Sequence, residues 1–463
     1  MAWARADRTG VALPRSSGSV ARSVTASAVK KASARLYVPL LACAALGRVA
    51  IIWIAGNSIT TPWSGGGDMD AYILLARNLV TGNGYSYAHM PSAWRTPGYP
   101  LVIAGMMDLF GGHFAIAVRC LQIVLSVLAA YFCMRAARIF FNETAGKIAL
   151  LAALFVPTLL YFSGELLSES LSAFFVALFL WMLAEDHANA RWITAVGMGL
   201  AIGLGALFRP NVAALGAVAL IGAWIFRKRA RARWQTALVP LFAALVFLPW
   251  VIRNYAAFGR LVVTTKSGTD ALCGALNPES RFLPGWEDRM RALVGYLLPN
   301  ELETNAPSRL ALGSEIALNK KCWRATRNVW RGMGPTDLAR GTLGKWATFW
   351  LGTDQLLNPG HISARNRVFH TFAVVFYWGL LAVACTGLWQ LRNSQPKVAA
   401  LLLAYAVLMT LIHTPFVMDT RIRAPLIDPL IAILAGGGGF ALAIKRQRNE
   451  STETVASLAA SAQ

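Results

Sequence analysis

The sequence predicts an all-α polytopic membrane protein, a bundle of about ten transmembrane helices. Of its 463 residues, 56% are apolar and only 14% are charged, whereas a soluble domain carries roughly 25% charged residues. The mean hydropathy is +0.49. Apolar runs of about 20 residues, long enough to cross a hydrocarbon core, recur along nearly the whole chain, and they are continuous rather than alternating.

The apolar runs define ten predicted spans and one long polar segment. The spans fall near 37–55, 114–134, 144–162, 166–184, 192–208, 212–226, 235–252, 368–390, 398–413 and 424–444. A shorter apolar piece, 98–110, follows "TPGYP", and we expect it to lie at the membrane interface. Helix boundaries read from sequence are accurate to a few residues, so the order of the spans matters more than their ends.

The spans set the predicted domain organisation. A disordered basic cytoplasmic tail at 1–36 comes first, followed by a transmembrane catalytic region at 37–253 that includes an outer loop at 56–113. An extracytoplasmic insertion at 254–367 comes next. The chain continues with C-terminal transmembrane helices at 368–444 and a cytoplasmic tail at 445–463. The tail 1–36 is rich in Ser, Ala and Arg and lacks an apolar stretch long enough for a signal sequence.

The charge distribution predicts the orientation. The net charge is +22, from 44 basic and 22 acidic residues. No interleaving of aromatic and basic residues indicates a nucleic-acid surface, whereas cytoplasmic loops of membrane proteins collect Lys and Arg, which also attract anionic lipids. The run "RKRARAR" at 227–233 falls in one such loop. We therefore expect both termini in the cytoplasm and the insertion 254–367 outside.

The six cysteines form no CxxC motif and no Cys/His metal spacing. Cys273 and Cys322 both fall in the polar insertion. They could pair if that segment faces an oxidising compartment, or remain free. No histidine is predicted to be a ligand.

Charged residues gather in the predicted outer loops and at the outer ends of spans. They are Asp68, Asp70, Arg95, Glu165, Glu169, Arg209, Arg253, Asp419, Arg421 and Arg423. Charges close to the hydrocarbon are costly and tend to mark function. Because both signs occur at one face of the membrane, the set predicts one composite site at the outer leaflet.

Each residue also has a structural alternative. Asp68 follows three glycines and precedes a short amphipathic helix, so it could be an N-cap. Glu165 and Glu169 are four residues apart and could be solvated acids at a helix start. Arg253, like the pair Arg421 and Arg423, could be an interface anchor.

The chemistry that would use the whole set is transfer from a lipid-linked phosphate donor. A carboxylate can deprotonate an acceptor hydroxyl as general base. Arginines, as planar bidentate donors, can hold the lipid phosphate, and a divalent metal ion held by carboxylates could share that role.

Several motifs carry a resemblance to a known family. The pattern D-x-x-x-Y, A-x-x-L and G-x-G-Y in 68–85 is followed by "RTPGYPL", "GELLSES", "LFRPN", "PWVIRNYAAFGRLVVTTKSG" and "RIRAPLIDPLIAILAG". In this order, over roughly 40–445, they resemble the GT-C membrane glycosyltransferases. More narrowly they resemble glycosyltransferase family 39, which includes protein mannosyltransferases and the lipid A aminoarabinose transferase.

The resemblance implies a role for each residue. Asp68 would be the general base. Glu169, with Glu165 as its neighbour, would be the second acid or a metal ligand, and Asp70 is a further candidate for that role. Arg95, Arg209, Arg253, Arg421 and Arg423 would contact the donor phosphate or shape its cavity. The Asp-Glu pair usual in protein mannosyltransferases is replaced by Asp68 and Met69, with Asp70 next, which argues against that subgroup.

The expected function is sugar transfer, with inversion, from a polyprenyl-phosphate donor to a lipid, glycan or protein acceptor. The expected location is the outer face of the cytoplasmic, or inner, membrane. The alternative is a transporter or flippase of lipid-linked sugars, which should show helices broken near the bilayer midplane and internal repeats. A ligase that moves a preassembled glycan ranks lower, because it would use a different loop pattern.

Overall fold

The computed structural model describes residues 42–44, 46–50, 53, 68–87, 90–226, 234–264, 324, 327–328, 331–332, 334–352, 364–416 and 418–461. The predictions for the tail 1–36, for most of the insertion and for the pairing of Cys273 with Cys322 lie outside these residues. The described parts of the first predicted span are helical.

The first half of the described chain forms six helices and one hairpin. They are α1 Asp68–Val80, β1 Ser86–Tyr87, β2 Met90–Pro91, α2 Gly98–Phe110, α3 Phe114–Phe140, α4 Glu143–Phe155, α5 Pro157–Gly164 and α6 Glu169–Ala188. The strands pair antiparallel, with Ser86 opposite Pro91. A 3-10 turn, Gly111–His113, joins α2 to α3.

The second half adds seven helices. They are α7 Trp192–Phe208, α8 Leu215–Phe226, α9 Leu238–Phe258, α10 Pro335–Leu351, α11 Ala364–Ser394, α12 Pro396–His413 and α13 Thr420–Ser461. A 3-10 turn, Pro210–Ala214, precedes α8, and another, Trp234–Ala237, precedes α9.

These helices confirm a multi-pass membrane protein, with a smaller number of full-length spans than the sequence predicts. In the described part of the chain, 6 helices are long and apolar enough to cross a membrane, or up to 7 if the bent pair α4 and α5 is one span. Trp192–Phe208 and Pro210–Phe226 are apolar but shorter. Each of the last nine predicted spans coincides with a described helix or a bent pair, and the first is described only in part. The lower count therefore reflects the short helices α7 and α8 and the incomplete description of the first span.

The bend between α4 and α5 has a local cause. The two helices meet at 47°. Pro157 occupies the first turn of α5, and Val156 before it has a ψ of 117°. Proline has no N–H to donate and pushes the preceding residue out of the helical region, so the helix cannot continue straight.

The centre of the bundle is α13, which packs on α3, α4, α6 and α11. Its glycine run, Gly436–Gly439, does not interrupt the helix. A Cβ at Gly438 would collide with the carbonyl of Val383 on α11, and one at Gly436 with the carbonyl of Ala145 on α4. The run therefore permits close helix packing, which is the structural alternative to a functional break.

A second apolar cluster attaches the loop predicted to lie outside, 56–113, to the bundle through its described residues. It joins Met69 and Tyr72 of α1, Tyr99 of α2 and Leu166 of the turn between α5 and α6, all almost fully buried. This packing fixes α1 beside the acidic segment "GELLSES". We call this end of the bundle the site end.

Candidate active site

One buried carboxylate binds two arginines from distant parts of the chain. Glu169, the first residue of α6, is fully buried. Arg209, which follows α7, places Nη1 2.8 Å from Glu169 Oε1. Arg421, the second residue of α13, donates from Nε to the same oxygen. Because a buried charge must be paired, these three residues, the Glu169 triad, fix the ends of α6, α7 and α13 against one another.

The arginines of the triad reach toward the surface. Their side chains are 16% exposed at Arg209 and 32% exposed at Arg421, against 0% for Glu169. A guanidinium group carries five N–H donors, so it can bond a carboxylate and also offer donors to a second anion. The triad can therefore present two oriented guanidinium groups to a phosphate.

The motif "FRPN" holds Arg209 in place. Pro210 begins a 3-10 turn directly after Arg209, a position in which its missing N–H is not needed. The Asn211 amide lies 2.9 Å from His413 Nε2, and His413 Nδ1 lies 2.6 Å from the carbonyl of Met409. A neutral imidazole that donates from Nδ1 leaves Nε2 to accept from Asn211. The turn after Arg209 is thereby attached to the end of α12.

The second acid of the segment, Glu165, also lies in a polar buried setting. It follows α5 directly and is 3% exposed. The Tyr161 hydroxyl hydrogen-bonds its carboxylate, and the positive charge of Arg119 acts on it. The two glutamates thus have different partners, although they stand four residues apart.

Three buried residues that are not among the predicted site residues also belong to this region. Arg119 Nε donates to the carbonyl of Gly164 at 2.8 Å. Gln122 Nε2 donates to the carbonyls of Ser163 at 3.1 Å and Glu165 at 2.6 Å. The Tyr99 hydroxyl donates to Gln122 Oε1 at 2.7 Å. An arginine and a glutamine three residues apart inside an otherwise apolar span are the sequence signal that reveals them.

The outer loop approaches the same region through Tyr72. Its ring meets that of Tyr99 edge-on at 5.0 Å, and its hydroxyl lies 3.5 Å from Ser168 Oγ. The Arg95 guanidinium lies 5.9 Å from the centre of the Tyr72 ring. Asp68 begins α1 one helical turn before Tyr72. Backbone packing therefore brings the predicted base to the site end, next to the acidic segment.

Asp70 lies on α1, close to the hairpin. Its side chain is exposed. Burial raises the pKa of the Tyr87 phenol, the negative charge of Asp70 raises it further, and the Arg95 guanidinium opposes both effects. Asp70 and Arg95 are therefore close enough to the hairpin to act on it electrostatically.

Arg253 attaches the hairpin loop to α9. It donates from Nη1 to the carbonyl of Ser92 and from Nη2 to that of Tyr85, both at 2.5 Å. Its guanidinium also lies 5.3 Å from the ring centres of Tyr85 and Trp250. These contacts hold the loop, and the structure does not bring Arg253 into the Glu169 triad.

Arg423 lies in a separate buried ion pair. Its Nε donates to Asp428 Oδ1 at 3.0 Å, and both side chains are almost fully buried. The guanidinium also lies 3.7 Å from the centre of the Tyr377 ring, and Thr158 Oγ1 donates to Asp428 Oδ2 at 2.5 Å. Only one residue, Ile422, separates Arg423 from Arg421, yet the structure places the two side chains with different partners.

We expect Arg423→Met to destabilise the protein by about 3–5 kcal/mol, because it leaves the charge of Asp428 buried without its partner. The measurement is the thermal unfolding midpoint of the purified full-length protein in detergent. The double variant Arg423→Met/Asp428→Asn removes both charges and should recover part of the loss. Equal loss in the single and double variants would contradict an electrostatic cause.

The described residues contain no group of three or more His, Cys, Asp or Glu side chains that could hold a metal ion. In the acidic segment, Glu169 Oε1 accepts from two guanidinium groups and Glu165 faces Arg119. Oxygens engaged by arginines are poor ligands for a hard divalent cation. The side chain of Asp68 lies outside the described residues.

The fold is that of the GT-C membrane glycosyltransferases. The archaeal oligosaccharyltransferase AglB from Archaeoglobus fulgidus, in complex with an inhibitory peptide and a dolichol-phosphate, aligns with a TM-score of 0.55 and 15% identity, covering 91% of this chain and 52% of that chain. The same protein in complex with Zn and sulfate gives 0.52 and 17%, covering 90% and 51%. This chain thus spans about half the length of these structures, and such a likeness establishes the fold alone.

A family model described as dolichyl-phosphate-mannose-protein mannosyltransferase matches residues 94–253. The match includes the acidic segment and Arg209, whereas Asp68 and Arg421 lie outside it. ArnT from Cupriavidus metallidurans bound to undecaprenyl phosphate aligns with a TM-score of 0.40 and 16% identity, covering 87% of this chain and 77% of that chain, which is too low to support an argument. No curated protein sequence matches this chain.

Proposed function

We propose that this protein is a membrane glycosyltransferase that moves a sugar from a polyprenyl-phosphate donor to an acceptor, with inversion at the anomeric carbon. The observation that carries the proposal is the convergence of Arg209 and Arg421 on Glu169, at the end of a GT-C bundle where α1 also packs. This site offers a phosphate two oriented cations beside a helix that begins with a carboxylate.

The arginines would bind the donor phosphate. As the bond between the anomeric carbon and the phosphate oxygen breaks, the leaving polyprenyl phosphate gains negative charge. Arg209 and Arg421, already oriented by Glu169, would stabilise that charge without reorganising. The AglB complex with dolichol-phosphate supports a lipid phosphate as the ligand.

Asp68 would activate the acceptor. The acceptor oxygen attacks the anomeric carbon on the face opposite the phosphate, and Asp68 takes the hydroxyl proton. One displacement of this kind inverts the configuration and needs no covalent sugar–enzyme intermediate. A divalent metal ion would need Asp68 as a ligand, because Glu169 and Glu165 already face arginines, and the Zn and sulfate complex of AglB is compatible with a metal in such a site.

The distribution of basic residues supports a site on the outer face of the cytoplasmic membrane, with both termini inside. The acceptor is a lipid, a glycan or a protein. In the described part of the chain, α13 is continuous through its glycines, so the break that a transporter or flippase would place there is not found, although α4 and α5 form a bent pair.

The test is transfer by the reconstituted full-length protein. Vesicles receive undecaprenyl phosphate linked to a radiolabelled sugar, with a membrane extract as the acceptor source. We expect label to leave the donor lipid, with an equal amount of undecaprenyl phosphate released, and to appear in a product of opposite anomeric configuration. Label that crosses the bilayer still attached to the lipid would instead favour the transporter, and retained configuration would contradict a single displacement.

A further inference from the structure

The turn between α5 and α6 leaves backbone carbonyl groups to be satisfied. Helix α5 ends at Gly164 and α6 begins at Glu169. The last carbonyls of a helix have no partner within it, and buried carbonyls need a hydrogen bond from elsewhere. In this turn the carbonyls of Ser163 and Gly164 need such a bond, whereas that of Glu165 already accepts from the backbone N–H of Leu167 at 2.8 Å, and every residue from 162 to 173 is buried.

Helix α3 supplies the missing donors. Arg119 and Gln122, three residues apart on one face, donate to all three carbonyls at distances from 2.6 to 3.1 Å. Tyr99 of α2 orients the Gln122 amide by donating to its oxygen. Arg119, Gln122 and Tyr99 are each 0% exposed. A fully satisfied buried network of this kind is rigid.

A neutral donor would satisfy the carbonyl of Gly164, so this hydrogen bond alone does not explain why residue 119 carries a charge. Glu165 is 3% exposed, and Arg119 acts on it as the opposite charge. A buried carboxylate without a compensating cation is strongly destabilising. Arg119 therefore binds the backbone of the turn and balances the charge of its first residue.

We infer that Arg119 and Gln122 are positioning residues, which hold the turn Glu165–Ser168 so that Glu165 and Glu169 take their places at the site. Neither side chain is required to touch a ligand. Four residues after Glu165, the chain reaches the carboxylate that orients Arg209 and Arg421. A shift of the turn would move that carboxylate and both guanidinium groups with it. The inference rests on the proposed function only where it concerns transfer.

The test combines two measurements on the full-length protein in lipid nanodiscs. Amide hydrogen exchange over 165–172 is measured without any substrate, in wild type, Arg119→Met and Gln122→Leu. We expect exchange to accelerate about 10-fold in both variants, because the turn opens locally when its side-chain donors are lost. The control is Val124→Leu, at a 56% exposed position on the same helix, which should leave exchange unchanged.

The second measurement separates positioning from ligand contact. We expect kcat for transfer to fall about 10- to 100-fold in both variants while the donor KM stays within about 3-fold, since a misplaced site loses transition-state geometry more than ground-state binding. Arg119→Lys keeps the charge and one donor, and should recover most of the kcat lost in Arg119→Met.

The outcomes are distinct. Unchanged exchange in both variants overturns the inference, even if kcat falls, because the residues then act in another way. A rise in donor KM with unchanged kcat also overturns it, since that indicates ligand contact. If exchange is faster in the variants but the wild-type protein transfers no sugar, the positioning role is supported and the proposed function is contradicted. If Arg119→Met does not fold, Gln122→Leu decides in the same way, because it removes the donors to the Ser163 and Glu165 carbonyls.

Discussion

We expect the replacement of Asp68 by asparagine to reduce sugar transfer by about 10²- to 10⁴-fold, the usual contribution of a general base. Helix α1 begins at this residue, so the change must be separated from the loss of a helix cap. Asparagine caps helices as well as aspartate does, whereas it cannot accept a proton at neutral pH. Asp68→Asn therefore removes the base and keeps the cap. The measurement is the initial rate of transfer at matched protein levels.

Asp108→Asn is the matched control, because Asp108 is an exposed carboxylate on the neighbouring helix α2. It should retain wild-type transfer. Binding of undecaprenyl phosphate, followed by its effect on the unfolding midpoint, should be equal in Asp68→Asn and wild type. If Asp68→Asn transfers sugar at the wild-type rate, Asp68 is only a helix start, and Asp70 or Glu169 becomes the candidate base.

Within the Glu169 triad, substitutions of Arg421 and Glu169 should affect different kinetic constants. Arg421→Met removes a cation that is 32% exposed, and we expect the donor KM to rise about 10- to 100-fold, equivalent to one hydrogen bond to a charged group. Glu169→Gln keeps both arginines but weakens their orientation. We expect it to lower kcat with little change in donor KM. Steady-state kinetics with undecaprenyl-phosphate sugar distinguishes the two patterns.

Arg421→Lys provides the comparison for the first variant, because lysine keeps the charge and loses the planar fork. It should give a KM between those of wild type and Arg421→Met. A double-mutant cycle of Arg421→Met with Glu169→Gln should show strong coupling, since both residues share one buried oxygen contact. Additive effects would contradict the triad as a unit.

The order of the helices follows from the sequence because apolar length is a strong local signal. The sequence does not reveal the angle of a bend or the length of each helix. Pro157 marks the position of the bend at Val156 in the sequence, but the angle depends on the fold. The shorter helices α7 and α8 pack against α9 and α12, and no local pattern in the sequence records these contacts.

The site was predicted as one set of outer charges, and the structure divides that set. Glu169, Arg209 and Arg421 come together, while Arg253 attaches a loop and Arg423 pairs with Asp428. Neighbouring arginines in one helix look alike in sequence, since only the tertiary fold decides which face each one meets.

Asp419 is another residue with a contact that the sequence does not reveal. As a charge beside two arginines it resembles a counter-ion, yet its Oδ1 accepts from the backbone N–H of Ile422 at 2.8 Å and so caps α13. Short acidic side chains at helix starts commonly serve the backbone rather than a neighbouring charge.

The contacts of Glu169 Oε1 with both Arg209 and Arg421 have a consequence for biosynthesis. Helix α13 is synthesised after every other described helix, and Arg421 at its start is one of the two cations on this carboxylate. Until α13 inserts, Glu169 lacks the Arg421 guanidinium, and the centre of the bundle is missing. A chain whose insertion stops before α13 should therefore be unstable and recognisable to quality-control proteases, so that a chain with an incomplete Glu169 triad does not accumulate.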